Sequence, residues 1–167
     1  MAIDWASLAS LEDYGFEGFV PIRELRFARE KIPGVRGVYV LLRVRHDEPR
    51  FVAAGTGGHF KGKDPNVAEP VLLASWVADV QVVYIGKAGD PGKRATLRSR
   101  LSQYLRFGAG GDVGHWGGRY VWQLADAEDL LVGWKPLPDG EPSQVESELI
   151  NQFRLVHGRR PFANLTK

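Results

Sequence analysis

The chain has 167 residues, 44% hydrophobic and 25% charged, which is typical of one globular domain long enough to bury a core. It contains no cysteine, which excludes disulfides and thiolate metal sites and fits a reducing, cytoplasmic environment. The net charge of only +2 excludes a generally basic surface, so any nucleic-acid binding has to come from a local patch. The longest apolar stretch, residues 71–85, is broken by Asp79 and Gln81 and is too short to span a membrane.

Residues 1–33 are predicted to be an N-terminal extension with one or two short helices. Trp5, Leu8 and Leu11 are spaced as the apolar stripe of the first helix. Pro21 is a suitable first residue for the second helix, which would end near Pro33. We expect this extension to pack against the main domain.

Three strands are predicted, near residues 37–44, 80–86 and 130–135, because each region is rich in β-branched, aromatic and other apolar residues. The segment 43–79 has no clear periodicity and is interpreted as an insertion. Within it, a glycine-rich exposed loop carries Lys61 and Lys63, and residues 67–77 favour a helix whose buried side holds Leu72, Leu73 and Trp76.

The second strand is followed by a glycine-rich turn and then by a helix. Thr96 is the expected N-cap, apolar residues recur at helical spacing from Leu97 to Leu105, and Gly108 is expected to stop the helix. Between Tyr84 and Phe107 lie six basic residues and one acidic residue, a surplus of +5 in a chain whose net charge is +2. This concentration of positive charge is typical of a surface that attracts a polyanion.

The C-terminal third of the chain is predicted to contain one long helix. The glycine-rich segment 107–119 predicts a long loop or a set of tight turns, and residues 120–124 fit either a strand or a helix. The last helix is expected to begin at Pro142, to bury a face with Val145, Leu149, Phe153 and Val156, and to end at Gly158. A basic, extended tail follows.

Five short motifs occur along the chain in a definite order. They are GVY at residues 37–39, YIG at 84–86 followed by Lys87, LRSRL at 97–101 with Tyr104, Glu146 followed by Leu149 and Ile150, and Pro161 with Asn164. Together they resemble the GIY-YIG nuclease superfamily, and the YIG and LRSRL blocks are similar to the N-terminal nuclease domain of the excision-repair incision protein. The matched blocks span residues 34–167. The chain departs from compact members in the 44 residues, 40–83, that separate its two tripeptides.

The resemblance implies an α+β fold in which helices flank a small, mainly antiparallel sheet, with residues 34–167 as the nuclease-like domain. It also implies a restriction-like or repair-like endonuclease that hydrolyses DNA with Mg²⁺ or Mn²⁺ and needs no small-molecule cofactor. The implied catalytic residues are Tyr39, Tyr84, Lys87, Arg100 and Glu146, with Tyr104 and Asn164 in support. The residues expected to contact nucleic acid are Lys61, Lys63, Lys93, Arg94, Arg98 and Arg106.

The residue types suit phosphodiester hydrolysis. A glutamate can hold Mg²⁺, which prefers oxygen ligands, and Arg100 can donate two parallel hydrogen bonds to phosphate oxygens. Because a tyrosine has a pKa of about 10, it is a poor base at neutral pH unless its surroundings favour the phenolate. Lys87 and the metal are the expected perturbers. The resemblance implies that one of Tyr39 and Tyr84 takes the water's proton while the other positions it, and which does so is left open.

Other interpretations were weighed against the nuclease. A phosphate-binding P-loop fails because five residues separate Gly86 from Gly92 where four are required. His59, His115 and His157 have no metal-ligand spacing and are interpreted as surface or loop residues, with His115 the strongest catalytic candidate among them. The alternatives that stay open are a nucleic-acid-binding module that does not cut and a protein-interaction domain. The sequence also leaves open DNA against RNA, and a monomer against a homodimer.

Overall fold

The computed structural model, which describes residues 2–166, shows a mixed α+β protein in which helices flank one antiparallel sheet. The sheet has the order β1-β4-β2-β3, with strands β1 (Glu17–Pro21), β2 (Gly37–Leu42), β3 (Val82–Ala88) and β4 (Leu131–Pro136). The helices are α1 (Leu8–Tyr14), α2 (Ile22–Leu25), α3 (Glu69–Ser75), α4 (Leu97–Gly108) and α5 (Pro142–His157). The predicted fold class and the three predicted strands are confirmed.

Strand β2 lies at the centre of the core, and all six of its residues are buried. Side chains of a strand alternate between the faces of its sheet. Tyr39 and Leu41 belong to the core cluster that includes the buried residues of α4, whereas Val38, Val40 and Leu42 pack with Leu149 and Phe153 of α5. A nearly continuous apolar run therefore reflects a strand covered on both faces, as the sequence predicts.

Residues 2–33 contribute one strand to the sheet, which corrects the prediction of a helical extension. Helix α1 and the short helix α2 are present, but β1 lies between them and pairs antiparallel with β4. Ile3, Trp5 and Phe16 are buried in the same cluster as β2 and α5. This segment therefore completes the core instead of covering it from outside.

A buried glutamine is one of the residues that hold the segment between β2 and β3 to the rest of the protein. The Gln123 amide accepts a hydrogen bond from the Val67 backbone N–H and donates to the carbonyl oxygens of Val52 and Val67. Leu72 of α3 is buried as predicted, but Leu73 is 53% exposed, so its predicted burial is wrong. Lys61 and Lys63 are exposed, as expected for a loop.

Helix α4 begins as predicted but ends for a different reason. The Thr96 side chain accepts a hydrogen bond from Ser99 N, and the Ser99 side chain accepts one from Thr96 N, which forms a capping box. Gly108 is the last helical residue and does not adopt a left-handed stop conformation. A Cβ atom at Gly108 would lie 2.3 Å from the Trp122 indole, so close packing requires the glycine.

The remaining predictions for the C-terminal third are mostly confirmed. Residues Arg119–Gln123 form a 3-10 helix, which resolves their ambiguity. Helix α5 begins at Pro142 and is stopped by Gly158, its C-cap, which has a φ of +72°. Val156 is 66% exposed, so its predicted burial is wrong. Among residues 2–166, no helix has the length and apolar character needed to cross a membrane.

Replacing Gly108 with alanine separates packing from helix propensity. Propensity alone would favour alanine by up to about 1 kcal/mol. We expect instead that Gly108→Ala lowers the free energy of unfolding by about 1–3 kcal/mol, because the new methyl group overlaps the buried Trp122 ring. Denaturant unfolding measures this change. Gly34→Ala is the control, since its nearest neighbouring atom would be 3.7 Å away, and a Gly108→Ala protein as stable as the parent would contradict the packing argument.

Candidate active site

The motif residues from four elements meet in one cleft of about 460 Å³. Tyr39 comes from β2, Tyr84 and Lys87 from β3, Arg100 from α4 and Glu146 from α5. The cleft is also lined by Asp90 and Lys93 from the turn after β3, and by Ser99 and Gln103 from α4. Five residues that are spread over more than a hundred positions of the sequence therefore share one cavity.

The pairing of β2 with β3 sets the positions of the two tyrosines. Tyr39 lies directly opposite Gly86, and a Cβ atom at residue 86 would be 2.4 Å from the Tyr39 ring. The ring of Tyr39 therefore occupies the space above Gly86, which explains the glycine in the YIG tripeptide. The Tyr39 and Tyr84 rings meet edge to face with their centroids 6.0 Å apart.

Burial disfavours the ionised form of both tyrosines. Burial, together with the nearby Tyr84 and a hydrogen bond with it, raises the pKa of Tyr39 well above its usual value, although Arg100 acts in the opposite direction. Burial also raises the pKa of Tyr84 to about 12, and the Glu146 carboxylate adds to the rise. The hydrogen bond from Tyr39 and the positive charge of Arg100 lower the pKa of Tyr84. The Tyr39 hydroxyl and Arg100 are thus the two groups that favour the phenolate form of Tyr84.

His115 is the site-region residue whose burial sequence reasoning missed. It lies on the predicted loop, but it is fully buried instead of exposed, and its Nε2 is 3.4 Å from the Tyr39 hydroxyl. Burial and the nearby Arg100 lower the pKa of His115 to about 3, so the imidazole is neutral at physiological pH. Its Nδ1 atom has no hydrogen-bond partner among residues 2–166. His115 therefore adds a neutral hydrogen-bonding group behind Tyr39.

Tyr104 does not line the cleft but packs against Tyr84, which does. It is 1% exposed, its hydroxyl donates to the Gly118 carbonyl at 2.7 Å, and its ring stacks on Tyr84 with centroids 5.8 Å apart. It also contacts the His115 ring, with centroids 4.4 Å apart. These contacts fix the position of Tyr84 and tie the glycine-rich loop to α4.

Glu146 is the carboxylate that the cleft offers from α5. Its side chain is 8% exposed and lies close enough to Tyr84 to raise the pKa of that hydroxyl. Residues 2–166 contain no group of three or more histidine, aspartate or glutamate side chains arranged to hold a metal ion. A single carboxylate in a polar cleft still fits Mg²⁺, which commonly keeps several waters and uses one or two protein carboxylates. Glu148 is exposed and accepts a hydrogen bond from Gln144 instead.

The predicted basic residues divide into those near the cleft and those engaged elsewhere. Arg100 is half-buried and donates to the Gln103 side chain at 3.2 Å. Lys93 lines the cleft, and Arg94 and Arg106 are exposed. Arg98 donates through Nε to the Ile32 carbonyl at 2.9 Å, so part of its donor capacity is used to hold the N-terminal segment. Lys61 and Lys63 do not line the cleft.

Lys87 is paired differently from the prediction. Its ammonium group contacts the Asp90 carboxylate at 2.5 Å, so its charge is paired with an acidic group that is not among the predicted site residues. The cation that lowers the pKa of both tyrosines is Arg100. Lys87 still lines the cleft, where Asp90 offsets its charge.

Asp90 connects the turn after β3 to the helix that carries Glu146. Its carboxylate accepts hydrogen bonds from the backbone N–H of Ser143 at 2.9 Å and from the Ser143 hydroxyl at 2.6 Å. Ser143 lies in the first turn of α5, where backbone N–H groups have no partner within the helix. Burial acts to raise the pKa of Asp90, but Lys87 and Ser143 outweigh it and lower the pKa to about 2.

Asn164 fastens the C-terminal segment to the edge strand of the sheet. Its Oδ1 accepts from the Ile85 N–H at 3.0 Å, and its Nδ2 donates to the Ile85 carbonyl at 2.8 Å. Ala163 N also donates to the Val83 carbonyl. These bonds lie on either side of Tyr84 along β3 and restrain the backbone that positions it.

The chain matches no protein-family model, no curated protein and no solved structure at a significant level. An assignment of function therefore depends on the motifs and on the geometry of the cleft.

The link between Asp90 and α5 predicts a pH-dependent stability. A carboxylate whose pKa is lower in the folded protein contributes stability above its unfolded pKa, and the contribution is lost as the pH falls through its folded pKa. We expect Asp90→Asn to lower the free energy of unfolding by roughly 1–2 kcal/mol at pH 7, because charge-assisted hydrogen bonds are lost. The difference from the parent should shrink as the pH falls from about 4 to about 2.

Urea unfolding of both proteins across this pH range measures the effect. Asp139→Asn is a matched control, since Asp139 is exposed and its side chain has no partner among residues 2–166. A stability difference for Asp90→Asn that stays constant from pH 7 to pH 2 would show that the carboxylate charge is not responsible.

Proposed function

We propose that this protein is a metal-dependent endonuclease that hydrolyses DNA phosphodiester bonds, in the manner of the restriction and repair enzymes of the GIY-YIG superfamily. The observation that supports this most strongly is the convergence of Tyr39, Tyr84, Lys87, Arg100 and Glu146 on one cleft. Packing alone does not require two tyrosines, an arginine and a glutamate to face the same cavity. A metal-dependent phosphodiester hydrolase can use these groups together, with the carboxylate for the metal, the cation for the phosphate and a hydroxyl for the water's proton.

The cleft is suited to a polyanionic substrate. Lys93 lines it, Arg94 follows in the same exposed turn, and Arg100 lies on its wall. The negative charge of Asp90 offsets the positive charge of Lys87 on one side of the cleft. The remaining positive charge of the lining residues is therefore carried by Lys93 and by Arg100 of α4. A phosphate group held there would face the Arg100 guanidinium, which can form two parallel hydrogen bonds to it.

In the proposed reaction, the Tyr84 hydroxyl first releases its proton to solvent, and the resulting phenolate oxygen takes the proton of the attacking water. Burial raises the pKa of Tyr84 to about 12, and a hydrogen bond from the Tyr39 hydroxyl and the positive charge of Arg100 act to lower it. The Nε2–H tautomer of neutral His115 can in turn donate to the Tyr39 oxygen. This chain of donors from His115 to Tyr39 to Tyr84 stabilises negative charge on the Tyr84 oxygen.

Arg100 and Glu146 have distinct roles in this proposal. Arg100 neutralises the charge that develops on the phosphate oxygens and also lowers the pKa of both tyrosines. Glu146 would hold one divalent cation, which when bound supplies Lewis-acid stabilisation of the phosphate and the leaving oxygen. Asp90 positions Glu146 by anchoring the first turn of α5.

The metal assignment is tested by Glu146→Gln. The substitution keeps the size of the side chain and removes the charge that would hold Mg²⁺, so we expect plasmid nicking to fall on the order of 10³-fold. DNA affinity should be retained because binding depends on basic side chains. Glu148→Gln is the control, since residues 146 and 148 are ~200° apart on a helix and Glu148 points to solvent.

Nicking rates in Mg²⁺, DNA affinity and circular dichroism are measured for the parent and both variants. A folded Glu146→Gln protein that nicks DNA at the parent rate would contradict the assignment of Glu146 as the metal ligand. A parent protein that binds DNA without nicking it in Mg²⁺ or Mn²⁺ would favour a binding module on the same fold.

The role of Arg100 is tested by Arg100→Lys. Lysine keeps the positive charge but cannot form the planar pair of hydrogen bonds, so we expect nicking to fall on the order of 10²-fold. Arg98→Ala is an unsuitable control because Arg98 binds the backbone of the N-terminal segment. Arg50→Lys is preferable, since Arg50 is exposed and lies outside the cleft. Equal nicking rates for Arg100→Lys and Arg50→Lys would show that only bulk charge matters.

A further inference from the structure

A second basic pocket lies where the C-terminal segment leaves α5. It has a volume of about 410 Å³, and its charged lining residues are Arg154, Arg159 and Arg160. Among residues 2–166, no carboxylate lines it and no salt bridge involves these three arginines. Three guanidinium groups on one pocket give it a local excess of positive charge, which favours an anionic ligand.

Backbone contacts hold two of the three guanidinium groups in place. Arg159 donates to the carbonyl oxygens of Ala74 and Trp76 at the end of α3, and Arg160 donates to the Leu165 carbonyl at 2.7 Å. A guanidinium group has five N–H donors, so both retain donors for a ligand. Arg154 is exposed and has no side-chain partner among residues 2–166. The pocket therefore combines two fixed donors with one free arginine.

Two other lining residues, Asn164 and Tyr120, connect this pocket to the candidate active site. Asn164 lines the pocket and is hydrogen-bonded to Ile85, the residue that follows Tyr84 on β3. Tyr120 also lines the pocket, and Gly118, two residues earlier, is contacted by the Tyr84 and Tyr104 side chains. Adjacent strand residues are about 3.3 Å apart, so the two pockets lie beside one short segment of β3.

We propose that the arginine pocket binds a backbone phosphate of the DNA whose scissile phosphate occupies the cleft. This inference rests on the proposed function and extends it with a second point of contact. Arginine side chains recognise phosphate oxygens through paired N–H donors. A phosphate contact away from the scissile bond fixes the register and direction of the DNA without reading its sequence. The occupant is a diester of a continuous strand, because such a strand presents phosphates to both pockets.

The test measures the salt dependence of DNA binding in a chain that carries Glu146→Gln, so that bound DNA is not cut. A fluorescently labelled DNA duplex is titrated with this protein and with the same protein carrying Arg154→Ala. Each lost phosphate contact lowers the slope of log K against log salt concentration by about 0.9. We expect this reduction for Arg154→Ala, together with an affinity about threefold or more lower at low salt. Arg154→Lys should keep the slope because the charge remains.

Arg50→Ala is the matched control. Arg50 is also exposed and has no side-chain partner among residues 2–166, and the slope should be unchanged. An equal slope for Arg154→Ala and Arg50→Ala would overturn the phosphate pocket and leave the nuclease proposal intact. A reduced slope in Arg154→Ala, with a parent chain that does not nick, would support the pocket and count against the nuclease. Failure of the parent chain to bind DNA would overturn both.

Discussion

The antiparallel pairing of β2 with β3 is the constraint on which the candidate site depends. It places Tyr39 opposite Gly86 and brings the Tyr39 ring to the edge of the Tyr84 ring. A shift of the register by one residue would turn each side chain of β2 to the other face of the sheet. Tyr39 would then point into the cluster formed by α5 and the N-terminal segment. The glycine of YIG is consequently a packing requirement for the tyrosine on the neighbouring strand.

Much of this fold could be predicted because its central elements carry strong local signals. Strand β2 is an unbroken apolar run, and α4 begins with a capping box that is visible in the sequence. Strand β1 carries no such signal, because it is five residues long, contains Gly18 and Pro21, and is defined only by its pairing with β4. Burial of Leu73 and Val156 was wrongly predicted because an amphipathic stripe can extend past the surface that covers it.

Only those residues of the candidate site that lie in short sequence motifs could be predicted. Tyr39, Tyr84, Arg100 and Glu146 were found because each lies in a recognisable short pattern. Asp90 and the burial of His115 were not, since the contacts of these two residues join positions 53 and 76 apart in the sequence. The pairing of Lys87 was missed for a related reason, because the turn after β3 has to fold back before Asp90 can reach both the ammonium group and α5. No local periodicity encodes these contacts.

The charges around the two tyrosines explain why these supporting residues matter. Burial raises the pKa of both hydroxyl groups, and the Glu146 carboxylate raises that of Tyr84 further. Arg100 opposes these effects at both tyrosines and, with burial, keeps His115 neutral. Any cation or protonation that neutralises Glu146 therefore lowers the pKa of Tyr84 as well. Because Asp90 anchors the helix that carries Glu146 and β3 carries Tyr84, the turn between Lys87 and Asp90 connects the two groups whose charges are coupled.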